Sequence, residues 1–385
     1  MMRMPAQIMA DAALVHVLDA LHAQGDHAYL VGGVVRNALL GQPVDDIDIA
    51  TDAVPERVIA LAQAANLRAV PTGIDHGTVT LVHDGRGFEV TTFRRDVETD
   101  GRHAVVSFTD DIAQDAARRD FTMNALYVDR TGRVLDPVGG LPDLQARRLR
   151  FVGDPGQRIR EDYLRILRFF RFFARYGQQA DPDAVTACAA HKDGLSGIAR
   201  ERIGAEMRKL LAADDPAPSV ALMAGTGVLD MLLPGADPAA LDALLALEGE
   251  TPPAWPRRLS ALHHDPAAAL RLSKSEAKTQ AALRTALDQD WSLDQAAYRL
   301  GAGIGLDHAL LMAARGQDLP PDWRDQVVQA AQARFPIKAA DLPDLQGPAL
   351  GHALKTAEAA WIASGFALPA PALIDMANLA GKEPV

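Results

Sequence analysis

Asp46 and Asp48 stand one residue apart in Val44-Asp45-Asp46-Ile47-Asp48-Ile49-Ala50-Thr51, where isoleucines alternate with the acids. Side chains at i and i+2 of a β-strand share a face, so this spacing predicts two converging carboxylates over an apolar underside. Such a pair repels unless it is protonated or bridged by a cation, and hard oxygen ligands beside a triphosphate suit Mg²⁺. Solvated aspartates at a strand end are the plain alternative. Upstream, Leu30-Val31-Gly32-Gly33-Val34-Val35-Arg36 reads as a strand running through two glycines into a helix. Glycine lets backbone N–H groups approach a phosphate closely, and the helix N-terminus adds a favourable dipole. Arg36, one turn into that helix, could clamp the same phosphate, although tight packing explains most strand-Gly-Gly-helix turns.

Two metals held by carboxylates can activate a hydroxyl and stabilise a leaving pyrophosphate, and such sites often use a third acid. Glu89 is the best candidate, because Phe88-Glu89-Val90-Thr91-Thr92-Phe93 alternates and places Glu89 and Thr91 on one face of a strand. In Arg118-Arg119-Asp120-Phe121-Thr122-Met123-Asn124, one arginine could reach a phosphate while Asp120 or Asn124 fixes the turn; an arginine complementing a helix C-terminus is the rival. Asp162 and Arg165 are i and i+3 on an expected helix and present an acceptor beside a forked donor. That combination suits the edges of cytosine and adenine, against an ordinary intrahelical ion pair. Arg168 and Arg171 continue at steps of three, each about 60° short of a full turn, so Arg171 points away from Asp162.

The elements that must carry these groups change character near residue 150. Ala28–Val31, Ile47–Ala50, Thr78–Val82, Phe88–Thr92 and Leu126–Val128 read as strands, and Asp11–Ala23 and Pro55–Ala65 as helices. Past Pro155 the periodicity is helical throughout, with Gln157–Arg175 as one helix, and Arg94–Phe108 reads as a mobile loop. The expected class is α+β, with about five strands in an N-terminal domain, 1–150, followed by all-helical segments 151–215 and 216–385.

With 385 residues, 48% of them hydrophobic, the chain is long enough for two or three domains, and no stretch approaches the roughly 20 apolar residues of a membrane span. The start, Met1–Asp11, lacks the long apolar run of a secretory signal, and a single cysteine, Cys188, excludes an intrachain disulfide and any cysteine-cluster metal site. A cytoplasmic protein is expected. The net charge of −11 is unevenly spread: residues 147–209 hold fourteen Lys and Arg against eight Asp and Glu, leaving twenty-five against forty-two elsewhere. That basic stretch suits phosphate or RNA, with a solvated helix face as the alternative.

Together these segments resemble the class II tRNA nucleotidyltransferase and bacterial poly(A) polymerase family, of the DNA polymerase β nucleotidyltransferase superfamily. The resemblance rests on the glycine turn, Asp46-x-Asp48, His76-Gly77-Thr78-Val79-Thr80, Glu89 to Arg94, Arg118 to Leu126, and Asp136-Pro137-x-Gly139-Gly140. It continues through Glu161-Asp162-x-x-Arg165-x-x-Arg168 and Glu201-Arg202-Ile203 with Glu206 and Lys209-Leu210-Leu211, in the family's order over residues 28–211. It implies a polymerase-β-like head, then a helical neck, body and tail, the basic stretch being the neck. It also implies that Asp46 and Asp48 bind Mg²⁺, that Gly32, Gly33, Arg36 and Arg119 surround the triphosphate, and that Asp162 and Arg165 template the base with Arg168 and Arg171 nearby. Asn37 departs from the family's usual Asp, and a changed hydrogen bond is expected there.

The activity so implied is addition of CCA to the 3′ end of tRNA from CTP and ATP, with pyrophosphate released. A poly(A) polymerase and an A-only or CC-only enzyme are the near alternatives; the neutral Gly73-x-x-His76-Gly77-Thr78-Val79 resembles the tRNA enzymes. A non-catalytic RNA-binding protein would be marked by loss of Asp46 or Asp48. His263-His264-Asp265 resembles a fragment of a phosphohydrolase motif whose partner residues are not evident, and reads as a helix end. Oligomeric state is not legible.

Overall fold

In a computed structural model of the chain, residues 2–99 and 104–382 are described. Contacts divide the chain into two compact units, Met1–Met231 and Leu232–Val385. The first opens with α1 (Ala6–Met9) and α2 (Ala12–His22), the latter capped by Asp11, whose carboxylate accepts from the Leu14 N–H at 2.9 Å. There follow β1 (Ala28–Val31), α3 (Gly33–Leu39), β2 (Asp48–Thr51), α4 (Pro55–Ala64), β3 (Arg68–Gly73), β4 (Thr78–His83) and β5 (Arg86–Thr92). After these come β6 (Arg94–Thr99), β7 (Ala104–Phe108), α5 (Ile112–Ala117), β8 (Tyr127–Val128), β9 (Val134–Leu135) and α6 (Gly140–Gln145).

Seven strands form one sheet in the order β3-β4-β5-β2-β1-β8-β9. β1 runs antiparallel to β2 and β8, whereas β2 and β5 are parallel. The five expected strands are present; β3, a half-exposed edge strand containing Pro71, and the two-residue β9 carry too little alternation to be read in advance. Arg94–Phe108 is not the loop expected from sequence, since β6 and β7 pair antiparallel; its residues 100–103 lie outside the described residues.

Alternation decides the sheet's two faces. Val79, Leu81, Phe88 and Val90 are fully buried, while Glu89 between the last two is exposed. Against the sheet pack α2 and α4, contributing Leu14, Val17, Leu18, Leu21, Val58 and Leu61 at helical spacing. Each such buried side chain contributes about 1.5–3 kcal/mol. The other face packs Val31, Ala50 and Tyr127 with Phe93 and Ala116 over β1, β2 and β8, and carries Asp48 with its register partner Glu89.

Beyond the sheet come α7 (Pro155–Glu161), α8 (Leu164–Tyr176), α9 (Pro182–Ala190) and α10 (Arg200–Leu211). The single helix expected over Gln157–Arg175 is broken: Asp162 is extended, with φ −153° and ψ 106°, and its carboxylate accepts from the Leu164 N–H at 3.0 Å. Aspartate competes for backbone donors in this way, and restarts the helix at α8. Phe169, Phe170 and Ile166 are buried on α8, where Phe169 stacks on Phe151 at 5.8 Å. Cys188, on α9, is a buried free thiol, as expected of a small apolar residue.

The second unit is helical, from Pro238–Glu248 to Ala370–Ala380. Leu342, Ala353, Ala357, Trp361, Leu373 and Ala377 form one of its cores. Among the described residues no helix is long and apolar enough to cross a membrane.

Candidate active site

The glycine turn ends β1 and starts α3: Gly32 is the N-cap, at φ 72°, a left-handed value that favours glycine. The register pairs Leu30 with Ile49, so the end of β1 lies beside the start of β2 and Asp48. On the other side of β2, Asp48 is the register partner of Glu89 in parallel β5. Side chains at paired positions of neighbouring strands point to the same face, so Asp48 and Glu89 stand together. Asp46 precedes the strand and is exposed.

Burial, then the charge of Glu89, and last that of Asp46 push the Asp48 carboxyl above its ordinary value, against the pull of Arg119. Within the described residues, none of these three carboxylates has a hydrogen-bonded or ion-paired side-chain partner. Among the described residues no group of three or more His, Cys, Asp or Glu is placed to hold a metal ion. Asp46 and Asp48 are nevertheless hard oxygen donors, the type that holds a divalent cation whose shell is completed by water and phosphate oxygens.

Arg119 faces this cluster across the glycine turn: its Nη1 is 3.7 Å from where a Cβ on Gly32 would sit. Its remaining nitrogens are fixed, Nη2 by Asp115 at 2.9 Å and Nε by the Tyr127 hydroxyl at 3.0 Å. Burial opposes ionisation of Asp115, but Arg119, Arg118 and Tyr127 hold its carboxyl below the usual range. Sequence reading missed Asp115, although its place three and four residues before the two arginines is a helical pairing signal. Arg118 also closes α5 as its C-cap, so that reading of the arginine pair describes it well.

Arg36, expected to clamp a phosphate directly, lies mostly buried behind Gly33. Its Nε and Nη2 donate to Asn37 Oδ1 at 3.1 and 2.9 Å, Nη2 also to the Tyr176 hydroxyl at 2.8 Å, and Nη1 to Asn124. The guanidinium stacks 3.9 Å from the centre of the Tyr176 ring. All these partners are neutral. The expected change at Asn37 is also visible: its Nδ2 donates to the Pro43 carbonyl at 2.9 Å, a bond that an ionised aspartate cannot make. Pro43 lies on the loop leading to Asp46.

Asp162 and Arg165 are not partnered with each other, because the helix break removes the i, i+3 geometry on which that pairing rested. Asp162 accepts from Arg202 at 3.0 Å, and Arg165 donates to Glu161 at 2.5 Å and to the Arg158 carbonyl at 2.7 Å. Arg168 is paired with Asp120, and Arg171 with Glu206 at 3.1 Å. Burial opposes ionisation of Asp120, but Arg168 and Asn124 hold its carboxyl well below the usual range. These arginines of the basic stretch are thus ion-paired, while the stretch as a whole keeps its excess of cations. His263 Nδ1 accepts from the backbone N–H of Asp265 at 3.0 Å, as expected of a helix end, and the Asp265 carboxylate pairs with Arg284 at 2.6 Å.

Comparison with known proteins finds two family matches: the poly A polymerase head domain over residues 28–150, and the probable RNA and SrmB-binding site of polymerase A over residues 179–240. The CCA-adding enzyme of Geobacillus thermodenitrificans is 40% identical over 247 residues, 64% of this chain and 57% of that protein. The chain thus spans little more than half the length of the curated relatives it matches. The crystal structure of the Bacillus stearothermophilus CCA-adding enzyme in complex with CTP is 30% identical, with a TM-score of 0.72 over 91% of this chain and 92% of that one. The Thermotoga maritima CCA-adding enzyme, complexed with tRNA, shares the fold, at 17% identity and a TM-score of 0.68 over 98% of this chain and 99% of that one.

Proposed function

Because the chain belongs to the nucleotidyltransferase family of CCA-adding enzymes and poly(A) polymerases, we propose that it adds CCA to the 3′ end of tRNA from CTP and ATP, without a nucleic-acid template. The observation that carries this reading is the unbalanced carboxylate cluster of Asp46, Asp48 and Glu89 beside the Gly32-Gly33 turn and Arg119. The family generally uses a divalent metal. Here we infer Mg²⁺ held by Asp46 and Asp48, with Glu89 as third carboxylate; when bound, it would lower the pKa of the attacking 3′ hydroxyl and offset charge on the departing pyrophosphate.

The chain's own groups would position the reactants. The N–H groups after Gly32 and Gly33 and the free edge of Arg119 take the triphosphate, held from behind by Asp115 and Tyr127. Arg36 adds its charge from beneath Gly33 rather than a fork-to-phosphate contact. Asp162 accepts from the exocyclic amino group of cytosine or adenine and Arg165 donates to the ring edge, once each exchanges its present partner, Arg202 or Glu161. Arg168 and Arg171, tied to Asp120 and Glu206, fix that helix at the nucleotide. In this reading residues 1–150 are the catalytic head, 151–215 the neck and 216–385 the RNA-binding body and tail. A cytoplasmic location accords with the one reduced cysteine.

The test offers the protein a tRNA transcript ending before CCA, with Mg²⁺ and each nucleoside triphosphate singly and in pairs, and resolves products nucleotide by nucleotide. Three additions that then stop, and that need CTP and ATP together, are expected. A long ladder with ATP alone would make it a poly(A) polymerase; no extension would leave an RNA-binding protein.

A further inference from the structure

A cavity of about 700 Å³ opens within the first unit, walled by the C-terminal ends of α8 and α10 and by Gln42 and Pro43 on the loop that leads to Asp46. Four cations line it, Arg36, Arg171, Arg175 and Lys209, against one carboxylate, Asp214. Arg171 is paired with Glu206, and the hydrogen-bond partners of Arg36 are neutral. Arg175 and Lys209 are exposed, and neither has an ion pair or a side-chain hydrogen bond among the described residues. Asp162 and Arg165 do not line the cavity.

Two phosphate-bearing reactants must meet at Asp46 and Asp48. On the proposed reading, a nucleotide whose base rests on Asp162 and Arg165 accounts for one of them. Resting on that reading, we propose that Arg175 and Lys209 are a binding site for the phosphodiester backbone at the 3′ end of the acceptor RNA. Cations of like sign around one space repel each other, and a polyanion threading the cavity relieves that repulsion while releasing its own counterions. The guanidinium supplies a fork for one phosphate and the ammonium a point charge for its neighbour. The 3′ hydroxyl is then delivered along the Gln42–Pro43 wall, three residues from Asp46.

The phosphate tail of the incoming nucleotide offers similar chemistry, so the test must separate the two. The double variant Arg175→Ala/Lys209→Ala alters only exposed side chains. Its binding is measured by fluorescence anisotropy without nucleotide, across a salt series, to an RNA hairpin with a single-stranded 3′ extension and to the same hairpin ending blunt. The expected result is about tenfold weaker binding to the extended RNA, and a salt slope shallower by roughly 1.4, two single-strand phosphate contacts. Binding to the blunt RNA should be unchanged and, in extension assays, so should the KM for CTP. Equal losses on both RNAs, or intact RNA binding with a raised KM for CTP, would overturn the assignment. A protein that binds the extended RNA but never lengthens it would defeat the proposed activity, while anisotropy still decides this site.

Discussion

In the helical second unit Arg257 and Arg258 are almost completely buried, yet each is answered: Glu248 accepts from both, and Asp307 accepts from Arg257 Nη1 at 2.6 Å. In the first unit Asp48 is partly buried beside Glu89 and Asp46, with only the charge of Arg119 in its favour. Burying ions is costly in both places, but pairing offsets that cost in one cluster and is withheld in the other. The balanced cluster is a structural joint between helices. The unbalanced one holds a repulsion that protonation or a bound cation relieves, and on the proposed reading that cation is the one that serves phosphate chemistry. Arg36, buried among neutral partners, is the positive counterpart of the same arrangement.

The contrast breaks most visibly in catalysis. Asp46→Ala or Asp48→Asn should lower nucleotide incorporation by about 10³-fold or more, the scale of removing a dominant electrostatic group, while RNA binding in an anisotropy assay stays intact. Sustained turnover would remove the metal assignment. Next in size is Glu248→Ala, which removes the carboxylate that both buried guanidiniums share, leaving Asp307 as the carboxylate on Arg257, and should cost about 3–5 kcal/mol of stability, read as a lower midpoint in urea. Activity per folded molecule should be unaffected, since no reacting group is touched.

A smaller effect is expected where charge is shared out between partners. Asp162→Ala with Arg165→Ala should relax discrimination between CTP and UTP by about tenfold or more, the worth of a good base-edge contact, with little change in triphosphate affinity. An unaltered preference would assign base choice elsewhere. The least effect, and the one with the sharpest sign, concerns pH. Asp48 has a raised carboxyl pKa in the fold, so its ionisation costs stability above that value and nothing below the unfolded value near 3.8. Asp48→Asn should therefore stabilise the fold at neutral pH, and the gain should vanish in acid. Asp115 shifts the other way: its contribution is present above the unfolded pKa and is lost as pH falls through its depressed folded value. Urea titrations at pH 7 and pH 3.5 on Asp48→Asn and Asp115→Asn should separate the two signs.

Much of this was legible in the residues. The alternation of Phe88, Glu89 and Val90 placed Glu89 on the face opposite Phe88 and Val90, the glycines marked the turn, and the loss of β pattern after Pro155 marked the helical remainder. These are local properties, set by a period of two or 3.6 residues and by the steric freedom of glycine, so a short window of sequence is enough to determine them. The tertiary structure alone decided that Asp48 stands opposite Glu89, because a parallel register between β2 and β5 joins segments that nothing in either strand's own pattern connects. It likewise decided that Arg36 is spent on Asn124 and Tyr176, eighty-eight and one hundred and forty residues away, and that Asp162 ends a helix instead of continuing it. The physical reason is the same in each case: a charged side chain takes the partner that burial leaves beside it, and which groups share that burial is settled only when distant elements pack.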